Sequence, residues 1–166
     1  MRLNLKDIIN VPGASVSFDF QMDLSDLEFY GEAPATSPVH VTGRVRNAAD
    51  ALLLEGEAVT TLSLTCDRCL KPFTEEQIVS LDTLLATELE NEESDDIILL
   101  DGDELDLDEL VREAFVLSMD TKHLCSENCK GLCSGCGVDL NHEACRCKPE
   151  VDPRLASLAK LLEDKD

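Results

Sequence analysis

Ala58-Val59-Thr60-Thr61-Leu62-Ser63-Leu64-Thr65-Cys66-Asp67-Arg68-Cys69 alternates in character with a period of two and then stops on a Cys-x-x-Cys turn. Ala58, Thr60, Leu62, Leu64 and Cys66 fall on one face, the pattern of a half-buried β-strand. Pro72 follows, and then a weaker alternation at Val79, Leu81 and Leu85. Upstream, Val16, Phe18, Phe20 and Met22 alternate with Ser17, Asp19 and Gln21, and Val39, Val41, Gly43 and Val45 form a second such run. Gly31, Pro34 and Pro38 mark a loop between these two, and Asn47 to Asp50 reads as a turn before Leu52 to Leu54. The runs predict a meander of about four or five strands.

One helical stripe interrupts this pattern. Leu107, Leu110, Val111, Ala114 and Leu117 or Ser118 share a face, behind an Asp106-x-x-Glu109 capping box, which predicts a helix over about 107–118. Asp152 and Pro153 read as the first positions of a short second helix presenting Leu155, Leu158, Ala159 and Leu162. Between sheet and helix, the stretch from Glu88 to Glu113 holds 13 of the chain's 35 acids and one base, Arg112. Its first part, at about 88–96, is almost devoid of apolar residues and reads as a loop. The fold class is therefore α+β, a mostly antiparallel sheet with one or two helices and a cysteine-rich, zinc-binding tail. The expected divisions are a core over 1–118, a tail module over 119–150 and a short helix over 151–166.

Composition narrows the function. The 166 residues carry a formal net charge of -21 and no Trp, and 27 Leu with Val and Ile must supply an aliphatic core. Such a field repels polyphosphate and anionic membranes, which excludes a general nucleic-acid clamp and argues against DNA or membrane partners. The first residues, Met1 to Asp7, lack a signal-peptide h-region, so a soluble cytoplasmic protein is expected. Eight cysteines in a reducing compartment point to metal rather than to a disulfide framework.

Six of these cysteines lie in the order Cys125-x3-Cys129-x3-Cys133-x2-Cys136-x8-Cys145-x-Cys147, and Cys66 and Cys69 end the leading strand. A Cys-x-x-Cys turn brings two sulfurs to one tetrahedral ion and leaves backbone amides free to donate to the thiolates. Gly137, directly after Cys136, suits the tight turn such a knuckle needs. One or two zinc ions are expected. The favoured division places Cys133, Cys136, Cys145 and Cys147 in one site and Cys66, Cys69, Cys125 and Cys129 in another, which ties the sheet to the tail. A rival uses Cys125, Cys129, Cys133 and Cys136 locally, and a third has a single ion with the other thiols free. His123 and His142 stand close enough in sequence to replace a cysteine.

The run Cys66-Asp67-Arg68-Cys69-Leu70-Lys71-Pro72-Phe73, the acidic stretch, and the block from Leu124 through Cys125, Cys129, Cys133 and Cys136 to Asp139-Leu140-Asn141 resemble the bacterial YceD family over nearly the whole chain. Asp120, His123 and Ser134 stand where that family commonly has proline. The resemblance implies a role in the accumulation of large-subunit (23S) ribosomal RNA, through its synthesis, processing or stability.

The leading expectation is thus a non-catalytic ribosome-biogenesis factor, not an enzyme, whose acidic surface meets a basic ribosomal protein or assembly factor. Direct rRNA contact has one local opening, the tail's Lys122, Lys130, Arg146 and Lys148. The alternative is a thiol-disulfide or redox-sensing protein using Cys66 and Cys69. Against it, a thioredoxin-like pair opens a helix, whereas Pro72 and another strand follow here. A metal-dependent hydrolase ranks lower, because four thiolates leave zinc no open position.

Overall fold

The computed structural model describes residues 1–29, 31–48, 51–87, 97–100 and 102–147. The loop expected at about 88–96 and the helix expected over 151–166 lie outside the described residues, as does the 148–150 end of the expected tail module. Among the described residues eight strands and two helices follow in the order β1 (Arg2–Asn4), α1 (Lys6–Ile9), β2 (Ser15–Met22), β3 (Val39–Ala48), β4 (Ala51–Thr65), β5 (Pro72–Ser80), β6 (Thr83–Ala86), β7 (Ile97–Leu99), β8 (Glu104–Asp106) and α2 (Leu107–Ser118). The main sheet runs β2-β3-β4-β6-β7 with β5 also on β4, and β1 pairs β8 in a two-stranded sheet. Every pairing is antiparallel except β6 with β7. The architecture is α+β and mostly antiparallel, as the periodicities predicted.

β4 is the spine. Its even-numbered residues point into the core from Leu52 through Leu54, Ala58, Thr60, Leu62 and Leu64. The sequence reading divided this strand in two because its middle, Glu55-Gly56-Glu57, offers no inward side chain. The gap is filled from across the sheet. Gly56 pairs with Gly43, Gly43 pairs with Phe18, and the Phe18 ring lies over both glycines. On the other edge of β4, β5 pairs with Glu57–Thr65 and β6 with Leu52–Leu54 in one unbroken register, so these two strands are a single line interrupted at Leu81-Asp82.

The turn expected over Asn47–Asp50 is narrower than predicted. Asn47 and Ala48 belong to β3, and Ala48 already pairs with Ala51. Asn47 is 2% exposed, and its side-chain amide donates to the carbonyls of Ile8 and Ile9 at 2.9 and 2.7 Å. It thereby adds a donor to the Ile8 carbonyl, which also accepts from Val11 N–H, and supplies one to the Ile9 carbonyl at the end of α1. β1, β7 and β8 escaped prediction because three residues are too few to show a period.

α2 occupies the predicted span. The Asp106 carboxylate caps it by accepting from the Asp108 and Glu109 amides. Its buried stripe is Leu107, Leu110, Val111 and Phe115. Of the expected Leu117 or Ser118, Ser118 is half-buried and Leu117 is 87% exposed, because the fully buried Phe115 lies on the opposite side of the last turn.

Gly43→Ala is expected to destabilise the fold by about 2 kcal/mol. The new Cβ would stand 2.5 Å from Phe18 Cζ and 2.6 Å from the Glu55 carbonyl oxygen, leaving it no room without a shift. An unchanged urea midpoint in the variant would disprove the close approach.

Candidate metal centres

The Cys66-Asp67-Arg68-Cys69 segment is the tip of the β4–β5 hairpin, closed by the Thr65–Pro72 pair. Within it the Leu70 amide donates to the Cys66 carbonyl at 2.8 Å, and the Cys66 amide donates to the Lys71 carbonyl at 2.9 Å. The Cys133-x-x-Cys136 segment repeats this pattern. Gly137 N–H donates to the Cys133 carbonyl and Cys133 N–H to the Val138 carbonyl, both at 2.8 Å. In each knuckle the fourth residue after the leading cysteine has positive φ, 57° at Leu70 and 72° at Gly137. Glycine takes that conformation freely and leucine does not.

The eight sulfurs gather in two groups of four, Cys66, Cys69, Cys125 and Cys129 in one and Cys133, Cys136, Cys145 and Cys147 in the other, each within 4.8 Å of all its partners. This is the division the spacing favoured. A tetrahedral ion with Zn–S bonds of about 2.3 Å separates its sulfurs by about 3.8 Å. Cys66 and Cys129 stand 3.9 Å apart, Cys69 and Cys125 3.7 Å, and Cys136 and Cys145 3.7 Å, while Cys133 and Cys145 are closer at 3.1 Å. All are far longer than a disulfide bond of about 2.05 Å. Four soft sulfur donors at these spacings fit a tetrahedral, thiolate-preferring ion. His123 and His142 join neither group.

Within each group the close sulfurs push their pKa values apart. The Cys125 amide, followed by those of Cys69 and Arg68, donates to Cys66 and lowers its pKa to about 6. Cys133 also falls to about 6, through the Cys145 thiol first and then the Cys136 and Gly135 amides. The last protons are held hard. Cys125 rises to about 12 because it donates to Cys66 and Cys69, and Cys147 to about 12 because it donates to Cys136 and Cys145. A divalent ion held there would replace those protons, so its binding would release them and weaken as pH falls.

The two groups differ in their surroundings. In the first group Cys66, Cys69 and Cys129 are buried and packed by Phe73, Leu124 and Leu132 and only Cys125 is exposed, whereas in the second Cys136 and Cys147 are exposed and none is buried. A dense set of bonds holds the tail on the hairpin tip. Asp67 N–H donates to the His123 carbonyl, and His123 N–H returns to the Asp67 carboxylate at 2.6 Å. The Arg68 guanidinium reaches the Cys129 carbonyl at 2.7 Å, and Leu132 N–H reaches the Arg68 carbonyl at 2.9 Å. Gly131 passes so near that a Cβ there would stand 2.8 Å from the Arg68 oxygen.

A second set joins the two groups to each other. Asn141 donates its side-chain amide to Cys129 Sγ at 3.4 Å and to the Asp139 carboxylate at 2.8 Å, while its oxygen accepts from Lys130 N–H at 2.7 Å. Asp139 pairs with Lys71 of the hairpin at 2.6 Å, which with the Asn141 amide holds its carboxyl down at about 2. That contribution to stability is present above the ordinary carboxyl range near pH 4 and is lost as pH falls toward 2. Lys71, Gly131, Asp139 and Asn141 were not singled out as functional positions by residue chemistry. Their only sequence signal was membership of the resembling blocks. Of the cations considered for RNA, Lys122, Lys130 and Arg146 are exposed, and Lys148 lies outside the described residues.

The fold and these centres define an α+β domain whose cysteine-rich tail is fastened to a hairpin tip. The chain belongs to the YceD family, whose model, described as large ribosomal RNA subunit accumulation protein YceD, matches residues 54–162. A chloroplastic large ribosomal RNA subunit accumulation protein YCED homolog 1 of Zea mays is 29% identical over 89% of this chain and 61% of its own length. Its Arabidopsis thaliana namesake is 29% identical over 78% of this chain and 50% of its own. The uncharacterized protein YlbN of Bacillus subtilis is 28% identical over 100% of this chain and 99% of its own length. The chain spans about three fifths of the maize relative. No solved structure matches it.

Two outcomes are expected. Cys66→Ser should expose residues 120–130 to limited proteolysis, since its centre joins hairpin to tail, whereas Cys133→Ser should leave that region protected; equal protection in both variants would refute a shared centre. Leu70→Gly should raise stability in urea by about 1 kcal/mol, because it relieves a left-handed leucine that is 64% exposed and gives up little burial.

Proposed function

We propose that this chain is a non-catalytic ribosome-biogenesis factor that supports synthesis, processing or stability of large-subunit (23S) ribosomal RNA, with one zinc ion at each four-cysteine centre. The observation that carries the reading is the match to a family of rRNA-accumulation proteins over a segment that contains all eight cysteines. The donor chemistry supports a structural role for the metal, because four thiolates complete a tetrahedral shell and leave no position for substrate or water. Cys66, Cys69, Cys125 and Cys129 would hold one ion and Cys133, Cys136, Cys145 and Cys147 the other.

Among the described residues no helix is long and apolar enough to cross a membrane. We place the protein in the reducing cytoplasm, where such thiolates persist. Its net charge of -21 favours a basic ribosomal protein or assembly factor as the direct partner, with rRNA affected through it. Direct rRNA contact through Lys122, Lys130 and Arg146 is the competing form of the same role. The thiol-exchange reading of Cys66 and Cys69 is weakened by their burial, since an attacking thiol needs access to sulfur.

Native mass spectrometry of protein purified without chelator should find two zinc ions per chain. Depleting the protein in its host should lower 23S relative to 16S rRNA, and the parent gene should restore the ratio where Cys66→Ser does not. An unchanged ratio on depletion would reject the role, and metal-free protein with eight alkylatable thiols would reject the centres.

A further inference from the structure

The main sheet ends on β2, which pairs with β3 along one side and with no other strand among the described residues. Asn47 N–H donates to the Ala14 carbonyl at 2.9 Å, which sets the phase of this antiparallel ladder. Val16, Phe18, Phe20 and Met22 therefore turn their backbone groups to β3, and Ser15, Ser17, Asp19 and Gln21 turn theirs outward. Among the described residues no backbone partner meets those four. A free row of N–H and C=O groups is a template for another strand, and proteins guard it with proline, charge, bulges or brevity. β7 is three residues long, and the free side of β5 begins at Pro72 and carries Glu76. β2 has eight residues and a single charge, Asp19. Beside its edge Val16, Phe20 and Met22 stay half-buried, an apolar shelf that β2 leaves open.

What fits this edge is its own sequence. The four outward residues are symmetric about Phe18, so a second β2 laid antiparallel with Phe18 opposite Phe18 pairs Ser15 with Gln21 and Ser17 with Asp19 in both directions. Every outward N–H then meets an outward carbonyl. A shift of register by two residues strands Ser15 or Gln21 beyond the end of the other strand. On the inner face Val16 stands against Phe20 and Phe18 against Phe18, and on the outer face the Ser17 hydroxyl meets the Asp19 carboxylate. No two carboxylates face each other. Cross-strand pairs of this kind stabilise a sheet, and self-complementarity is what a twofold interface requires. The net charge of -21 bears weakly on this edge, because the acid-rich run from Glu88 leads in sequence to β7, the opposite edge of the sheet. At about 4.8 Å per strand β7 is roughly 19 Å from β2, more than twice the Debye length of about 8 Å at physiological salt.

We propose that two copies of this chain pair through β2, antiparallel and in register at Phe18, so that two six-stranded sheets become one continuous sheet about a twofold axis. One strand per copy makes a small interface, so the association is reversible, with a dissociation constant of about 10–100 µM. Neither the cysteine centres nor the rRNA role enters this pairing.

Sedimentation equilibrium of the intact protein, purified without chelator, should show monomer and dimer exchanging across about 5–500 µM. At the upper concentration amide exchange measured by NMR should slow at Ser15, Ser17, Asp19 and Gln21, while Val16, Phe18 and Phe20 keep the protection that β3 gives them in dilute protein. Ser17 is exposed, and Arg44, its neighbour on β3, is engaged by Glu55 at 2.8 Å, so a charge at position 17 leaves the fold intact. Ser17→Asp sets two like-charged pairs across the dimer and should weaken association about fivefold, whereas Ser17→Lys sets two opposite-charged pairs and should tighten it about fivefold. Thr61→Lys, the same charge placed on β4 away from the edge, should leave association unchanged. A protein still monomeric at about 500 µM overturns the proposal. So does a dimer that ignores both Ser17 variants, or one that Thr61→Lys strengthens as much as Ser17→Lys does. Protection of the four outward amides already present in the dilute monomer would assign the edge to another part of the same chain and overturn it as well.

Discussion

Everything in the tail depends on a meeting between the tip of one hairpin and two cysteines far along the chain. Cys66 and Cys129 are 63 residues apart in sequence and 3.9 Å apart at sulfur. A crosslink that closes so long a loop removes about 4 kcal/mol of unfolded-state entropy in the chain-entropy picture, against about 3 kcal/mol for a loop of some 15 residues like that of the second centre. The difference is modest. What sets the first centre apart is burial and connection: it packs under Phe73, Leu124 and Leu132, and Asp67 and Arg68 carry the hydrogen bonds that seat the tail. A metal that binds only the folded arrangement turns its binding energy into folding energy. The hairpin register supplies the geometry, because the β4–β5 ladder fixes where the first two sulfurs stand.

The second centre has a looser relation to the fold. It is built from residues within 15 positions of one another, has no buried cysteine and touches the rest through Asp139 and Asn141. Those two side chains make the centres neighbours rather than independent beads. The Lys71–Asp139 pair holds the second knuckle against the hairpin, and the Asn141 amide places a hydrogen bond on a sulfur of the first. Supporting donors of this kind orient metal ligands and tune their basicity.

Much of this was legible in the sequence where a period or a ligand spacing could register. The inward faces of β2 and β3, the later half of β4 and the span of α2 all follow from local pattern, whereas the cysteine spacing left three divisions open, of which the favoured one is the grouping observed. The rest was hidden for physical reasons. Gly43 and Gly56 erased the alternation in mid-strand because the side chain filling their space, Phe18, belongs to another strand. Asn47 looked like a turn former, yet it serves as a buried donor to a helix end distant in sequence. Leu117 belongs to the helical period as well as Phe115 does, and only packing decides between them. The Asp139–Asn141 network joins three segments, and no local pattern reports such a contact.

The long separation between hairpin and tail also sets a timetable for synthesis. At about 5–20 residues per second, roughly 3–13 s pass between the addition of Cys66 and the addition of Cys129. During that interval the hairpin can form its ladder while its two thiols lack their partners, since β4 and β5 need only each other. Cys125 must arrive before a third sulfur reaches the first centre, and Cys129 before its shell can close. The nascent chain therefore carries a pair of thiols at the end of β4 whose two partner sulfurs are added only some 60 residues later.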